Sequence, residues 1–341
     1  MTDKKPLVIL TGPTAVGKTD LSIKLAKAMK GEIISADSAQ VYKGFDIGSA
    51  KVTEKEMQGV PHHLIDVYEP DFSFDVTVFQ KEAKRLVDEI ISRGHIPIVA
   101  GGTGFYIQAL LYDINFNDEG DDSYRKSLEK YLEDTGDIDK LYNELKEIDP
   151  VSIQNIHKNN HRKVIRALEF YHFHGYPISE HNEKERHKES VYNSFYFVLN
   201  MNRDKLYDRI NRRVDIMRNA GLIAEVKKLK DAGYDLSLTS MQAIGYKEIY
   251  SALSEIEEKN VNDGSKEYDE IIDAAIEQIK LNTRHFAKRQ LTWFRREKDV
   301  IWLDKDEFSQ DGKLDSDEID DKILDYILDM VSKGTFDTHI I

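Results

Sequence analysis

No cysteine occurs among the 341 residues. That excludes disulfides, thiol catalysis and Cys-ligated zinc. Basic residues are in deficit, 48 Lys+Arg against 62 Asp+Glu, for a formal net charge of −14. A general basic coat for nucleic acid is thereby ruled out, while a local basic patch is not. No apolar run approaches the ~20 residues that span a bilayer, so no membrane segment is expected. The N-terminus, MTDKKPLVIL, lacks the longer apolar region of a signal peptide, and the cytoplasm is the default location. Neither an internal repeat nor a low-complexity tract is found.

What remains is a globular composition, 40% hydrophobic and 32% charged. The length corresponds to about two domains, or one with a sizeable insertion. Leu7 to Leu10 is a short apolar run closed by Gly12 and Pro13, and reads as a buried strand. Asp20 to Lys30 has helical spacing, Glu32 to Ala36 reads as a second strand, and Leu64 to Val67 as a third. Thr77 to Ser92 is an amphipathic helix, and Ile96 to Ala100 a further strand ending at Gly101 and Gly102. This alternation predicts crossover units and a parallel sheet.

Near Asn115 the composition changes. Asn117 to Asp122 is acidic and reads as a linker; Ser123 to about Tyr171 is helical in pattern. Phe195 to Leu199 returns to the sheet, and Val300 to Leu303 is a last strand. The expected architecture is an α/β P-loop core with a parallel sheet and helices on both faces. The core spans residues 1–116 and 192–341, with a helical insertion at 117–191. Charge is segregated: Arg203–Lys230 is net +5 and Lys280–Lys298 net +6, whereas Asp299–Asp329 is net −9. Blocks of this kind are either solvated helix faces or surfaces for a polyanion.

Gly12–Thr19 reads GPTAVGKT, a full match to G-x-x-x-x-G-K-[ST]. It follows a predicted strand and opens a predicted helix, which aims backbone N–H groups at an anion. Gly12 and Gly17 permit the turn around Pro13, Thr14, Ala15 and Val16. Lys18 supplies a point charge, and the Thr19 hydroxyl can hold Mg²⁺. The motif says phosphate without saying ATP, so a nucleotide or nucleoside kinase stays open. Asp37 follows strand two, beyond the carboxyl end where open α/β sheets place their chemistry. It could serve as metal ligand, helix cap or proton acceptor. Adjacent His62 and His63 have no third ligand at suitable spacing and read as structural. His157 and His161 lack the Glu of a metalloprotease motif.

The series GPTAVGKT, DSAQVY (Asp37–Tyr42), DIGSAK (Asp46–Lys51), VPHHLID (Val60–Asp66), GGTGFY (Gly101–Tyr106), RKVIRALE (Arg162–Glu169), MQAIGYKE (Met241–Glu248) and TRHFAKRQLTWFR (Thr283–Arg295) resembles the bacterial tRNA dimethylallyltransferases. The resemblance runs from about Leu7 to Trp302. It implies transfer of a dimethylallyl group from dimethylallyl diphosphate to the exocyclic amine of the adenosine beside the anticodon, tRNA position 37. It implies that the loop holds a prenyl diphosphate with Mg²⁺, and that Asp37 is the general base. It further implies tRNA contacts, to the anticodon stem-loop, from Asp37, Ser38, Ala39 and Gln40, with Thr103 and Arg125 nearby. Arg162, Lys163 and Arg166 are implied in the insertion, where many relatives carry acidic-Arg-Lys-Arg and this chain has His161, Arg162, Lys163, Val164. Ala243, Gly245, Tyr246 and Lys247 follow, then Lys288, Arg289, Gln290, Trp293 and Arg295. A monomer is expected.

Two roles follow from chemistry. Diphosphate leaves readily only when its developing charge is neutralised. Arg209 and Arg213, at i and i+4 and so on one helical face, are candidates for that task beside Lys18. Trp293 and Phe294 could stack on an extruded base or simply belong to the core.

Overall fold

The computed structural model describes residues 4–116, 123–186, 188–309 and 315–334. The acidic linker read at Asn117–Asp122 lies outside them. Two compact units emerge: Met1–Leu111 with Val191–Ile341, and Tyr112–Ser190.

In the first unit β1 (Pro6–Thr11) leads into α1 (Lys18–Ala28), then β2 (Gly31–Ala36), a short α2 (Glu54–Met57), β3 (His62–His63), α3 (Val76–Ser92), β4 (Ile96–Gly101) and α4 (Gly104–Tyr112). The second unit carries α5 (Ser123–Thr135), α6 (Ile138–Ile148), α7 (His161–His174) and α8 (Ile178–Arg186). The chain then resumes the first unit with β5 (Asn193–Asn200), α9 (Arg203–Asn219), α10 (Leu222–Asp231), α11 (Tyr246–Glu258) and α12 (Lys266–Phe294). It ends with β6 (Val300–Asp304), a short α13 (Lys305–Phe308) and α14 (Ser316–Lys333).

All six strands pair in parallel, in the order β3-β2-β4-β1-β5-β6. Leu7, Val8, Ile9 and Leu10 of β1 are all fully buried. A strand buried on both sides needs cover on both faces, which is why its sequence is a continuous apolar run and not an alternation. One layer joins Val8 and Leu10 to Leu21 and Leu25 of α1, Ile210 of α9, and Ile323 and Ile327 of α14. α3 buries Phe79, Ala83, Leu86, Val87 and Ile90, and starts on an Asp75 cap that accepts from the N–H groups of Thr77 and Val78.

The third strand differs from the sequence reading. It is His62–His63, not Leu64–Val67. Leu64 and Asp66 have φ near +59°, and the left-handed backbone ends the extended run. His63 Nε2 contacts Glu32 at 2.7 Å, and His62 Nδ1 contacts the Val60 carbonyl at 2.8 Å. Glu32 is also bonded by Arg93 and His95. Burial pushes this carboxyl up, but the hydrogen bonds from Arg93, His63 and His95 outweigh it and hold it at about 2.

The second unit is a small helical body around Leu128, Leu141, Leu145, Val164 and Leu168. Buried Asp149 accepts from the N–H and hydroxyl groups of both Ser152 and Ser179. No helix among the described residues is long and apolar enough to cross a membrane.

Candidate active site

The strand edge that carries the glycine-rich loop opens on a cavity of about 490 Å³. β1 ends at Thr11, the loop turns through Ala15 at φ 65°, and α1 starts at Lys18 with left-handed Gly17 as its cap residue. The first turn of a helix exposes unpaired N–H groups, and here they belong to the cavity wall. Lys18 folds back over the loop and donates to the carbonyls of Gly12 (3.0 Å) and Pro13 (2.8 Å). Enclosure by protein, and then Arg213, drive its ammonium down to about 7 against the pull of Asp37.

Both arginines of α9 reach the same loop. Arg209 Nε donates to the Ala15 carbonyl at 2.9 Å, and Arg213 to Thr14 Oγ1 at 2.5 Å. Their four-residue spacing places them side by side, as the helical period requires. Burial lowers the Arg213 pKa, with Asp37 raising it and Arg209 lowering it. Lys18, Arg209 and Arg213 thus crowd one loop, with the Asp37 carboxylate acting on Lys18 and Arg213, an arrangement that is costly without an anion.

Asp37 stands just past β2 on the same cavity. Its Oδ1 accepts from the N–H groups of Ala39 (2.9 Å) and Gln40 (3.3 Å), an Asx turn that fixes the carboxylate. Ser38 is exposed on that turn. Gln40 donates to the carbonyls of Ser49 and Ala50, tying DSAQVY to DIGSAK. Thr103 lies beyond β4, its N–H bonded to the Ala36 carbonyl at 3.1 Å. Ile33, Val52 and Ile65 give the cavity an apolar wall. Thr19, Ser35 and Asp37 give it oxygen donors, which is the donor type a hard cation takes. Among the described residues no group of three or more His, Cys, Asp or Glu could hold a metal.

Several residues placed among the tRNA contacts have other partners. Gln290, 6% exposed, accepts the Thr14 N–H on its amide oxygen and donates from its amide nitrogen to the Gly102 carbonyl, both at 2.9 Å. A Cβ on Gly102 would lie 2.2 Å from that nitrogen, so the bridge requires glycine. Tyr246 is fully buried, stacked on Phe45 at 4.1 Å, with its hydroxyl donating to Glu225 at 2.7 Å. The same Glu225 accepts from the N–H groups of Asp46, Ile47 and Gly48. GYKE therefore anchors DIGSAK through a carboxylate that no motif announced. Buried Gly245 donates its N–H to Glu248. Ala243 and Lys247 are half-buried.

Lys288, Arg289 and Arg295 are exposed along and just past the last turns of α12. Arg289 lies over the Phe286 ring at 5.7 Å. Phe294 belongs to the core, while half-buried Trp293 lies against Gly104 and edge-on to exposed Phe105. In the second unit, Arg162 and Lys163 are exposed on the first turn of α7. Arg125 and Arg166 both donate to buried Glu169, at 2.7 and 3.1 Å.

The chain has known relatives along most of its length. The family model described as "IPP transferase" matches residues 40–297. A tRNA dimethylallyltransferase of Lachnoclostridium phytofermentans is 52% identical over 91% of this chain and 95% of its own length. That of Bacillus subtilis is 48% identical over 88% and 91%. Among solved structures, the full-length tRNA isopentenylpyrophosphate transferase of Bacillus halodurans superimposes with a TM-score of 0.69 at 43% identity, over 98% of this chain and all of that one. A eukaryotic dimethylallyltransferase acting on tRNA gives 0.70 at 31% identity, over 88% and 74%. With three quarters of its length matched by the family model and relatives of this identity along nearly all of it, the chain belongs to the IPP transferase family.

Proposed function

We propose that this protein is a tRNA dimethylallyltransferase, joining the dimethylallyl group of dimethylallyl diphosphate to the exocyclic amine of the adenosine beside the anticodon and releasing diphosphate. The observation that carries the reading is one cavity with a cationic phosphate loop, an apolar wall and a fixed carboxylate. A kinase needs the first of these; a prenyl transferase to an amine needs all three.

The diphosphate lies on the loop N–H groups with Lys18, Arg209 and Arg213 around it. These residues neutralise the charge that grows as the carbon–oxygen bond breaks. The five-carbon chain lies along Ile33, Val52 and Ile65. The adenine amine is a poor nucleophile because its lone pair is delocalised into the ring. As its lone pair forms the bond to the first prenyl carbon, the nitrogen becomes acidic, and its proton passes to Asp37. Thr19 is the residue that would hold Mg²⁺. Bound there, the ion supplies further neutralisation of the leaving diphosphate.

The target base must leave the anticodon-loop stack, at a cost of a few kcal/mol. Exposed Lys288, Arg289 and Arg295, and separately Arg162 and Lys163, supply cations for the anticodon stem-loop backbone. The protein is proposed to act as a monomer in the cytoplasm.

The test is ligand protection in thermal melts. Dimethylallyl diphosphate with Mg²⁺ raises the melting temperature more than ATP with Mg²⁺ does. Stronger protection by ATP favours the kinase reading.

A further inference from the structure

The chain beyond residue 297 lies outside the matched family model, yet it returns to the phosphate loop. β6 ends at Asp304 and Lys305 follows at once. Its side chain turns inward and is 6% exposed, with Nζ 2.5 Å from Oδ1 of Asp320 on α14, itself 3% exposed. The pair is close but not aligned as a hydrogen bond. Burial pushes the Asp320 carboxyl up, against the pull of Lys305. α14 is fastened to α1 alongside, through Lys24 and Asp321 at 2.7 Å.

The second neighbour of Lys305 is the loop. A Cβ built on Gly17 would lie 2.8 Å from Lys305 Nζ and 3.6 Å from the Arg209 guanidinium. Gly17, at φ 96°, is the cap residue of α1. Lys305 and Arg209 thus approach the same side of the glycine, the side a Cβ would occupy, and of the two only Arg209 lines the cavity.

A buried ion pair is weak support for a fold, because desolvation offsets the attraction and apolar residues of similar volume serve as well. A cation at a helix N-terminus is moreover unfavourable, since that end already carries partial positive charge. Lys305 adds to it. The arrangement is sensible where an anion shares the end of the helix.

We propose that Lys305 is a positioning residue of the diphosphate cradle, held by Asp320 of the C-terminal helix beside Gly17. It keeps the left-handed turn in place and strengthens the positive potential at the amide end of α1. The acidic tail helix thereby takes part in donor binding without lining the cavity. This rests on the reading that diphosphate occupies the loop.

The test compares Lys305→Met/Asp320→Leu and Asp320→Asn with wild type. Readouts are thermal stability, calorimetric titration with inorganic diphosphate and Mg²⁺, and KM for each substrate. The double variant keeps wild-type stability or better. It binds inorganic diphosphate roughly tenfold more weakly and raises the donor KM to match, while KM for tRNA holds within about twofold. Asp320→Asn keeps the shape of the side chain beside Lys305 and removes the opposing charge, so it binds diphosphate at least as tightly as wild type despite a lower melting temperature. If the double variant binds as wild type does, or if both variants weaken alike, the pair is structural and the proposal is overturned. If wild type itself fails to bind inorganic diphosphate, the reading of the loop falls first and takes the proposal with it.

Discussion

The side-chain oxygen of Gln290 accepts the N–H of Thr14 at 2.9 Å, joining the last turns of a long helix to the middle of the phosphate loop. The other end of that amide holds Gly102, at the end of β4. Gln290→Ala leaves a half-buried N–H and a buried carbonyl without their partner, a loss of about 1–3 kcal/mol for such groups. Denaturant titration is expected to show that loss. Donor KM rises while tRNA binding is unchanged. If tRNA affinity falls and donor KM does not, Gln290 serves the RNA and not the loop.

Asp37 is held by two backbone N–H groups and turned to the same cavity. Asp37→Asn keeps the shape and removes proton acceptance. Turnover falls by about 10²–10⁴, the range for a lost general base. Donor binding, read by calorimetry, stays within a few-fold. Near-normal turnover removes the role.

The Lys18 ammonium is lowered to about 7 in the free protein. Above that pH the amine is largely neutral, and a bound polyanion restores its charge. Diphosphate binding is therefore coupled to proton uptake above pH 7, and affinity declines as pH rises. Titration in buffers of different ionisation enthalpy measures the uptake. The stability sign follows from the same shift. The unfolded chain binds this proton more tightly than the folded one, so the free protein gains stability as pH rises from about 7 toward 10.5. Lys18→Met removes that gain and the proton uptake together.

Removal of charge at Lys288, Arg289 and Arg295 weakens tRNA binding and flattens its dependence on salt. If all three meet phosphates, the log–log slope falls by about 2. Filter binding over a salt series checks this. An unchanged slope makes the cluster a solvated face.

Much of the sheet was legible because buried parallel strands are written as short apolar runs, as at Leu7–Leu10 and Ile96–Ala100. The third strand was misread because left-handed backbone at Leu64 and Asp66 leaves no mark in an apolar pattern. Arg209 and Arg213 could be paired from helical spacing alone. Gln290 could not be assigned to the loop, since its partner lies 276 residues away and an amide amid basic residues reads as part of an RNA face. Glu225 and Asp320 were silent for the same reason: a single acid gives no local sign of the distant groups it holds. Lys305 had one available signal, its place directly after a strand at the carboxyl edge, where Asp37 was found.

In the proposed reaction a phosphate loop grips a prenyl leaving group while Asp37 accepts a proton from adenine. Its most direct test is incubation of unmodified tRNA with dimethylallyl diphosphate and Mg²⁺, followed by mass analysis of the digested nucleosides. The expected product is adenosine bearing one five-carbon unit at the position beside the anticodon, formed by wild type and nearly absent with Asp37→Asn. Unmodified adenosine after full incubation with the wild-type enzyme would contradict it.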